Sequence, residues 1–235
     1  MPTVPRLHVD QPLTAATPIA GSAAQAHHLG SVLRRSVGDE ICLFNSRDGE
    51  WRAHIAALRR DRVTFALDAQ TRPPALEDDL WLLFALLKRD TTDLVIEKAT
   101  ELGASVLQPV ITDRTNAARV NDARLRTIAT EAAEQSERLT IPDIRPPRPL
   151  PDLLESWPTN RPLFVAVERA NAAPIIHSTE PCALLVGPEG GFTLQELDAF
   201  RCYPFVAAVT LGPRILRAET ACLVGLTLLR LGGSR

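Results

Sequence analysis

The stretch Leu184-Leu-Val-Gly-Pro-Glu-Gly-Gly-Phe192, continued by Thr193-Leu-Gln-Glu196, decides the fold. A short apolar run gives way to a glycine-rich turn and then directly to a helix start. Thr193 and Glu196 have capping-box spacing, and Phe192 and Leu197 occupy the flanking staple positions. A buried strand feeding a tight turn and a capped helix is the repeating unit of an open, mostly parallel α/β sheet, which binds ligands at the carboxyl ends of its strands. Three glycines within residues 187–191 let backbone approach a ligand closely, and the helix start offers N–H donors. A purely structural turn needs fewer of them.

The pattern returns at Leu211-Gly-Pro-Arg-Ile-Leu-Arg-Ala-Glu-Thr-Ala221, where a second strand end is followed by a loop and an apolar helix. Two such loops can enclose one small molecule. Arg214, Arg217 and Glu219 are charges in an apolar tail, where burial without a partner is costly. They read equally as an Arg–Glu pair closing the last helix or as substrate-binding groups. The helix is apolar nearly all round, which implies burial in the core or at a subunit interface.

Working outward, strands are expected at Leu80–Leu87, Ser105–Val110, Leu163–Val167, Ala183–Val186 and Phe205–Leu211, alternating with helices at Thr92–Leu102, Asp122–Arg138, Leu194–Arg201 and Glu219–Leu231. The segment Asp68–Asp79, with paired prolines and charge, reads as a linker. It divides the chain into domains at 1–72 and 75–235. In the first, short apolar runs at Glu40–Phe44, Glu50–Ile55 and Arg62–Leu67 read as a small β-barrel, interrupted by a helix over Gln25–Arg35.

Composition is that of an ordinary globular protein, 45% apolar and 23% charged. The net charge of −2 argues against a uniformly basic, nucleic-acid-coating surface, although residues 1–74 lean basic, with 9 Lys and Arg against 7 Asp and Glu. Only Lys88 and Lys98 are lysines, an arginine excess that codon bias alone would produce. Cys42, Cys182, Cys202 and Cys222 show no Cys-x-x-Cys pairing and read as buried thiols in a reducing compartment. No targeting head or membrane-length apolar run is visible, so a cytoplasmic protein is expected. No Rossmann glycine fingerprint, P-loop, Gly-x-Ser-x-Gly elbow or histidine-rich metal cluster is present, which leaves NAD, ATP, hydrolase and metalloenzyme readings unsupported.

Taken together, residues 185–191 and 211–221 resemble the two cofactor-loop motifs of the RsmE-type 16S ribosomal RNA uridine-N3 methyltransferases. The resemblance continues through Glu97-Lys-Ala-Thr-Glu-Leu-Gly103, Glu131-Ala-Ala-Glu-Gln-Ser136 with Arg138, His28-Leu-Gly-Ser-Val-Leu-Arg34, Gly38-Asp39 and Leu43-Phe44-Asn45, and so spans nearly the whole chain. It implies a PUA-like RNA-binding barrel followed by an α/β SPOUT domain with a parallel sheet, whose C-terminal part threads into a trefoil knot that no pattern rule shows. It also implies a homodimer, S-adenosylmethionine as cofactor, 16S rRNA of the small ribosomal subunit as partner, and neither metal nor membrane.

Carried over by residue, the resemblance implies a cofactor site of Glu168, Leu185, Val186, Gly187, Pro188, Glu189, Gly190, Gly191, Leu211, Gly212, Ile215, Leu216, Ala218, Thr220 and Ala221. The catalytic candidates are Arg217, Arg214, Glu189 and Glu219, and the RNA-binding candidates are Arg6, His28, Arg34, Arg35, Arg52, Lys88 and Arg138. The chain departs from the family pattern at Lys88-Arg-Asp-Thr-Thr-Asp93, which lacks the usual glycine and arginine, and at Glu97, Glu137 and Ala218. Two rivals stand beside this reading: a ribose 2′-O methyltransferase on a similar scaffold, and a non-catalytic RNA-binding or assembly factor.

Overall fold

The computed structural model describes residues 4–15, 17–75, 77–115, 120–168 and 172–231. The chain divides into two compact units, one of Met1–Leu76 with Ala133–Thr140, the other of Glu77–Ala132 with Ile141–Arg235.

In the first unit, β1 (Arg6–His8), β2 (Ile19–Gly21), β3 (Glu40–Asn45), β4 (Gly49–Leu58) and β5 (Val63–Arg72) form one sheet in the order β1-β3-β4-β5-β2. Only the β1–β3 pair is parallel. Among the described residues nothing pairs β2 back onto β1, so the expected barrel is an open, curled sheet. Alternation along β4 and β5 sends Ala53, Ile55, Val63 and Phe65 into a core shared with Leu7, Leu29, Ile41 and Leu43. β5 runs to Arg72 in register with Glu50, so it takes up part of the expected linker, which starts only at Pro73.

The expected single helix over Gln25–Arg35 is instead α1 (Ala23–His27), begun by a Ser22–Gln25 capping box, and a π-helical turn at His28–Val32. Leu33 N donates to His28 O at 2.9 Å, a bond one residue wider than the α-helical one. Gly30 and Val32 favour the α-helix poorly, and Arg34 at φ +52° ends the turn.

Arg6 organises the interior of this unit. Its Nε donates to Glu50 at 2.8 Å, and its terminal nitrogens donate to the carbonyls of Ala133, Glu134 and Arg138 at 3.0–3.1 Å. The guanidinium also lies 4.3 Å from the centre of the Phe44 ring. Arg138 is itself buried and donates to Thr140. The expectation that Arg6 and Arg138 face RNA is corrected: both guanidinium groups are enclosed by carbonyl, hydroxyl or carboxylate partners that the folded chain itself supplies, although Gln135, Ser136 and Glu137 just before Arg138 are exposed.

The second unit holds β6 (Leu80–Ala85), α2 (Arg89–Glu101), β7 (Val106–Ile111), α3 (Asp122–Gln135), β8 (Asp143–Ile144), β9 (Arg148–Pro149), α4 (Leu150–Glu155), β10 (Leu163–Ala166), β11 (Ala173–Pro174), β12 (Cys182–Val186), α5 (Leu194–Phe200), β13 (Val206–Thr210) and α6 (Ala218–Leu231). The last turn of α3 belongs with the first unit. All strand pairs here are parallel, in the order β11-β13-β10-β12-β6-β7-β8 with β9 also on β7. β6 and β12 are buried along nearly their whole length, as parallel strands covered on both faces must be. Asn121 caps α3 by accepting from Arg124 N at 3.1 Å.

At the amino-terminal edge of this sheet Trp81 lies between Arg145 and Arg161, 4.1 and 4.2 Å from its ring centre. Hydrogen bonding from Arg161 holds the Asp79 carboxyl below the usual carboxylate range. Of the four thiols expected to be buried, Cys182 and Cys222 are, Cys42 in the first unit is half-buried, and Cys202 is exposed just past α5, where the chain turns over the surface.

α6 packs on α2, β6 and β12. Gly225 permits this, since a Cβ there would stand 2.4 Å from Leu184 Cδ2. Leu184 is fully enclosed and has no room to retreat. Gly225→Ala gains ~1 kcal/mol of helix propensity but overpacks the core at a cost of ~1–3 kcal/mol. We expect a net loss, read as a lowered Tm in calorimetry, and a raised Tm would refute the packing argument. Arg6→Ala leaves the Glu50 carboxylate, only 11% exposed, with Arg72 at 3.6 Å as its remaining cation. It should cost about 3 kcal/mol in urea unfolding, and an unchanged midpoint would show that the network contributes nothing.

Candidate functional site

β10 lies between β12 and β13, and its last residue, Ala166, is in register with Val186 on one side and Val209 on the other. The loops leaving these three strands therefore start level at one edge of the sheet. α5 carries the chain from β12 across β10 to β13, which makes this the kind of crossover point where parallel sheets bind ligands.

The turn after β12 is held from both ends. Gly191 sits at φ +66°, a conformation that suits glycine, and its N–H closes the turn onto Pro188 O at 2.8 Å. Thr193 and Glu196 then form the expected capping box: Glu196 N donates to Thr193 Oγ1 at 3.2 Å and Thr193 N donates to Glu196 Oε2 at 2.7 Å. Glu196 is buried, and its other oxygen accepts from Asp113 N at 3.0 Å. Phe192 and Leu197, the staple pair, pack against the core that includes Leu185 and Phe200.

After β13, Gly212 at φ +125° turns the chain, with its N–H on Thr210 Oγ1 at 3.3 Å. Residues 213–217 then lead into α6, whose buried Ala218 and Ala221 face the same space. The result is a cavity of about 690 Å³. Its walls are the 187–191 turn and the 211–216 segment, which thus face each other as the sequence requires for a shared ligand site. The volume and the apolar lining with few polar groups are those of a small-molecule or cofactor site.

Of the fifteen residues expected at the cofactor, twelve line this cavity. Leu185 is instead part of the core, and Glu189 and Thr220 are exposed and lie outside the lining. Among the catalytic candidates Arg214 lines the cavity, while Arg217 is exposed directly before α6 and Glu219 is half-buried in its first turn. Neither arginine pairs with Glu219, so the Arg–Glu clasp closing the last helix is absent; among the described residues these charges are left for other use. His28, Arg34, Arg52 and Lys88 are exposed, and Arg35 is half-buried. Ala166, Val167 and Thr210 also line the cavity, strand-end residues with no chemical signature of their own in the sequence.

Among the described residues no group of three or more His, Cys, Asp or Glu could hold a metal ion, and no helix is long and apolar enough to cross a membrane.

The model of an RNA methyltransferase domain family matches residues 74–230, and that of an RNA methyltransferase PUA domain matches residues 22–68. The ribosomal RNA small subunit methyltransferase E of Rickettsia conorii is 36% identical over 213 residues, which cover 88% of this chain and 87% of that protein. The protein of the same name from Bacillus subtilis is 30% identical over 220 residues, covering 86% of each. A crystal structure of a ribosomal RNA small subunit methyltransferase E from Neisseria gonorrhoeae bound to S-adenosyl methionine superposes with a TM-score of 0.86 at 29% identity, over 96% of each chain. With its parallel sheet and separate curled sheet matched along nearly the whole length, the chain belongs to the ribosomal RNA small subunit methyltransferase E family.

Proposed function

We propose that this protein transfers a methyl group from S-adenosylmethionine to N3 of a uridine in the 16S RNA of the small ribosomal subunit. The observation that carries this reading is the single cavity walled by the two glycine-bearing loops. Val186, Leu211, Ile215 and Leu216 give it apolar surface for an aromatic base, and Glu168 at its edge offers an acceptor for hydroxyl or ammonium groups. Residues 1–72 serve as the PUA-like RNA-binding domain and residues 75–235 as the SPOUT catalytic domain, with the C-terminal segment threaded as a knot.

S-adenosylmethionine, when bound, supplies an intrinsically electrophilic methyl group. The chain's own residues have to hold N3 of the uracil in line and take up its imide proton. As that proton leaves, negative charge spreads onto O2 and O4, where Arg214 in the cavity wall and Arg217 beside α6 stabilise it. Glu189 or Glu219 accepts the proton; Glu219, half-buried in the first turn of α6, pairs with neither arginine. Pairing in a stem hides N3, so the target base is unpaired or flipped out.

His28, Arg34, Arg35, Arg52 and Lys88 are the cations proposed to hold RNA phosphates. Arg6 and Arg138 leave that set because their guanidinium groups are engaged inside the first unit. A homodimer belongs to the same proposal, with Ile176, Leu194 and Leu228 among the apolar side chains that the second unit leaves exposed. A cytoplasmic location is part of the same proposal, since its substrate is ribosomal RNA.

Calorimetric titration with S-adenosylmethionine should show saturable binding, and mass spectrometry of digested rRNA after reaction should show N3-methyluridine. No binding sinks the methyltransferase reading, and a 2′-O-methyl nucleoside would reassign the protein to ribose chemistry. Arg214→Ala and Arg217→Ala should each lower kcat by roughly 10²-fold while leaving cofactor affinity nearly intact. Full turnover in either variant removes that arginine from the mechanism.

A further inference from the structure

The loop leaving β7, residues 112–115, does not line the cavity, yet it is bonded to the turn that does. It is first closed on itself: Thr112 N donates to Thr115 Oγ1 at 2.9 Å, and the two hydroxyls are 2.9 Å apart. From this base Asp113 N donates to the buried Glu196 carboxylate at 3.0 Å, and Asp113 Oδ2 accepts from Thr193 Oγ1 at 2.9 Å. Arg114 reaches furthest. Its Nη1 donates to Gly190 O at 2.5 Å, and its stem lies along the same residue, so that a Cβ on Gly190 would stand 3.2 Å from Arg114 Cδ. Gly190 has no positive φ, and the Arg114 stem is the nearest group that a side chain there would meet.

We propose that Arg114 is a positioning residue for the methyl donor, holding the Gly190 carbonyl from outside so that the 187–191 turn keeps the shape that forms one wall of the cavity. The proposal rests on the reading that this cavity takes S-adenosylmethionine. Glycines 187, 190 and 191 leave the turn intrinsically loose, because glycine loses more conformational freedom on ordering than any other residue. The Pro188–Gly191 bond and the capping box fix its two flanks, while the Gly190 carbonyl between them is fixed by the guanidinium. Because the bond is to a charged donor, its loss is felt more than that of a neutral one. Arg114 is exposed, so its truncation removes the bond without opening the core.

The test compares the full-length chain with Arg114→Ala and Arg114→Lys. Cofactor affinity is read by calorimetric titration with S-adenosylmethionine, and kcat and KM for cofactor and for small-subunit rRNA are read in a methylation assay. Arg114→Ala should raise Kd and KM for S-adenosylmethionine roughly tenfold, with kcat, KM for RNA and Tm of the free protein nearly unchanged. Arg114→Lys, whose ammonium can reach the same carbonyl, should recover much of the loss. Unaltered cofactor affinity in Arg114→Ala would overturn the proposal, as would a defect confined to KM for RNA or a fall in Tm that lysine does not rescue. If the unmodified chain binds no S-adenosylmethionine, the methyltransferase reading itself fails, a result distinct from normal binding by both wild type and variant.

Discussion

Loops far apart in sequence share one cavity here because β10 pairs in parallel with both strands from which they come. Ala166 stands opposite Val186 and Val209, so the chain leaves β12 and β13 at the same height on either side of one strand. A slip of one residue in either pairing would turn every side chain of that strand to the other face and carry its loop out of line with its partner. The register is secured by burial: Leu163, Val165, Ala183 and Leu185 fill one core, while Leu184, Val186 and Val209 fill the other. The site is thus a consequence of sheet packing, and its precision is that of a fully enclosed parallel sheet.

Much of this was legible in the sequence, and the reasons are particular. β12 is a short run of buried residues bounded by a proline and a glycine turn, and α5 begins with a reciprocal capping box, so local chemistry alone fixes both. The short strands β8, β9 and β11 were not legible. Each has two residues, and their pairing is dictated by the neighbouring strand, which leaves no period to detect. Similarly, Gln25–Arg35 has helical spacing throughout, yet the chain widens into a π-helical turn at His28 and stops at Arg34, because Gly30 and Val32 give the α-helix too little support. In the cavity, the glycines and charged residues were legible, while Ala166, Val167 and Thr210 were not, because they line it only by standing at strand ends.

Arginine is the residue type whose role the sequence leaves most open. A guanidinium suits phosphate, but it also satisfies several carbonyls at once, and sequence does not separate these uses. Arg6 joins β1 to the carbonyls of Ala133, Glu134 and Arg138, Arg161 clasps Asp79 against Trp81, and Arg230 pairs with Glu77 and Asp78. Each spans a long sequence separation within one compact unit, closing loops that apolar packing leaves open. With only two lysines in the chain, arginine carries both the structural and the recognition load, and the basic lean of residues 1–74 overstates the cations that face solvent.

A transfer governed by positioning places its demand on the rigidity of the walls and less on any single reactive side chain. Misplacement by an ångström is costly where reacting atoms must be aligned. The turn at 187–191 meets that demand with glycines, which are conformationally the freest residues, and so the order has to come from outside it. Glu196 is the hub of that order: one buried carboxylate binds the start of α5 through Thr193 and the loop after β7 through Asp113, which couples β12 to β7 across β6. Glycine thus gives the ligand close access to the backbone, and a shell of carboxylate and guanidinium bonds gives back the stiffness that glycine removes.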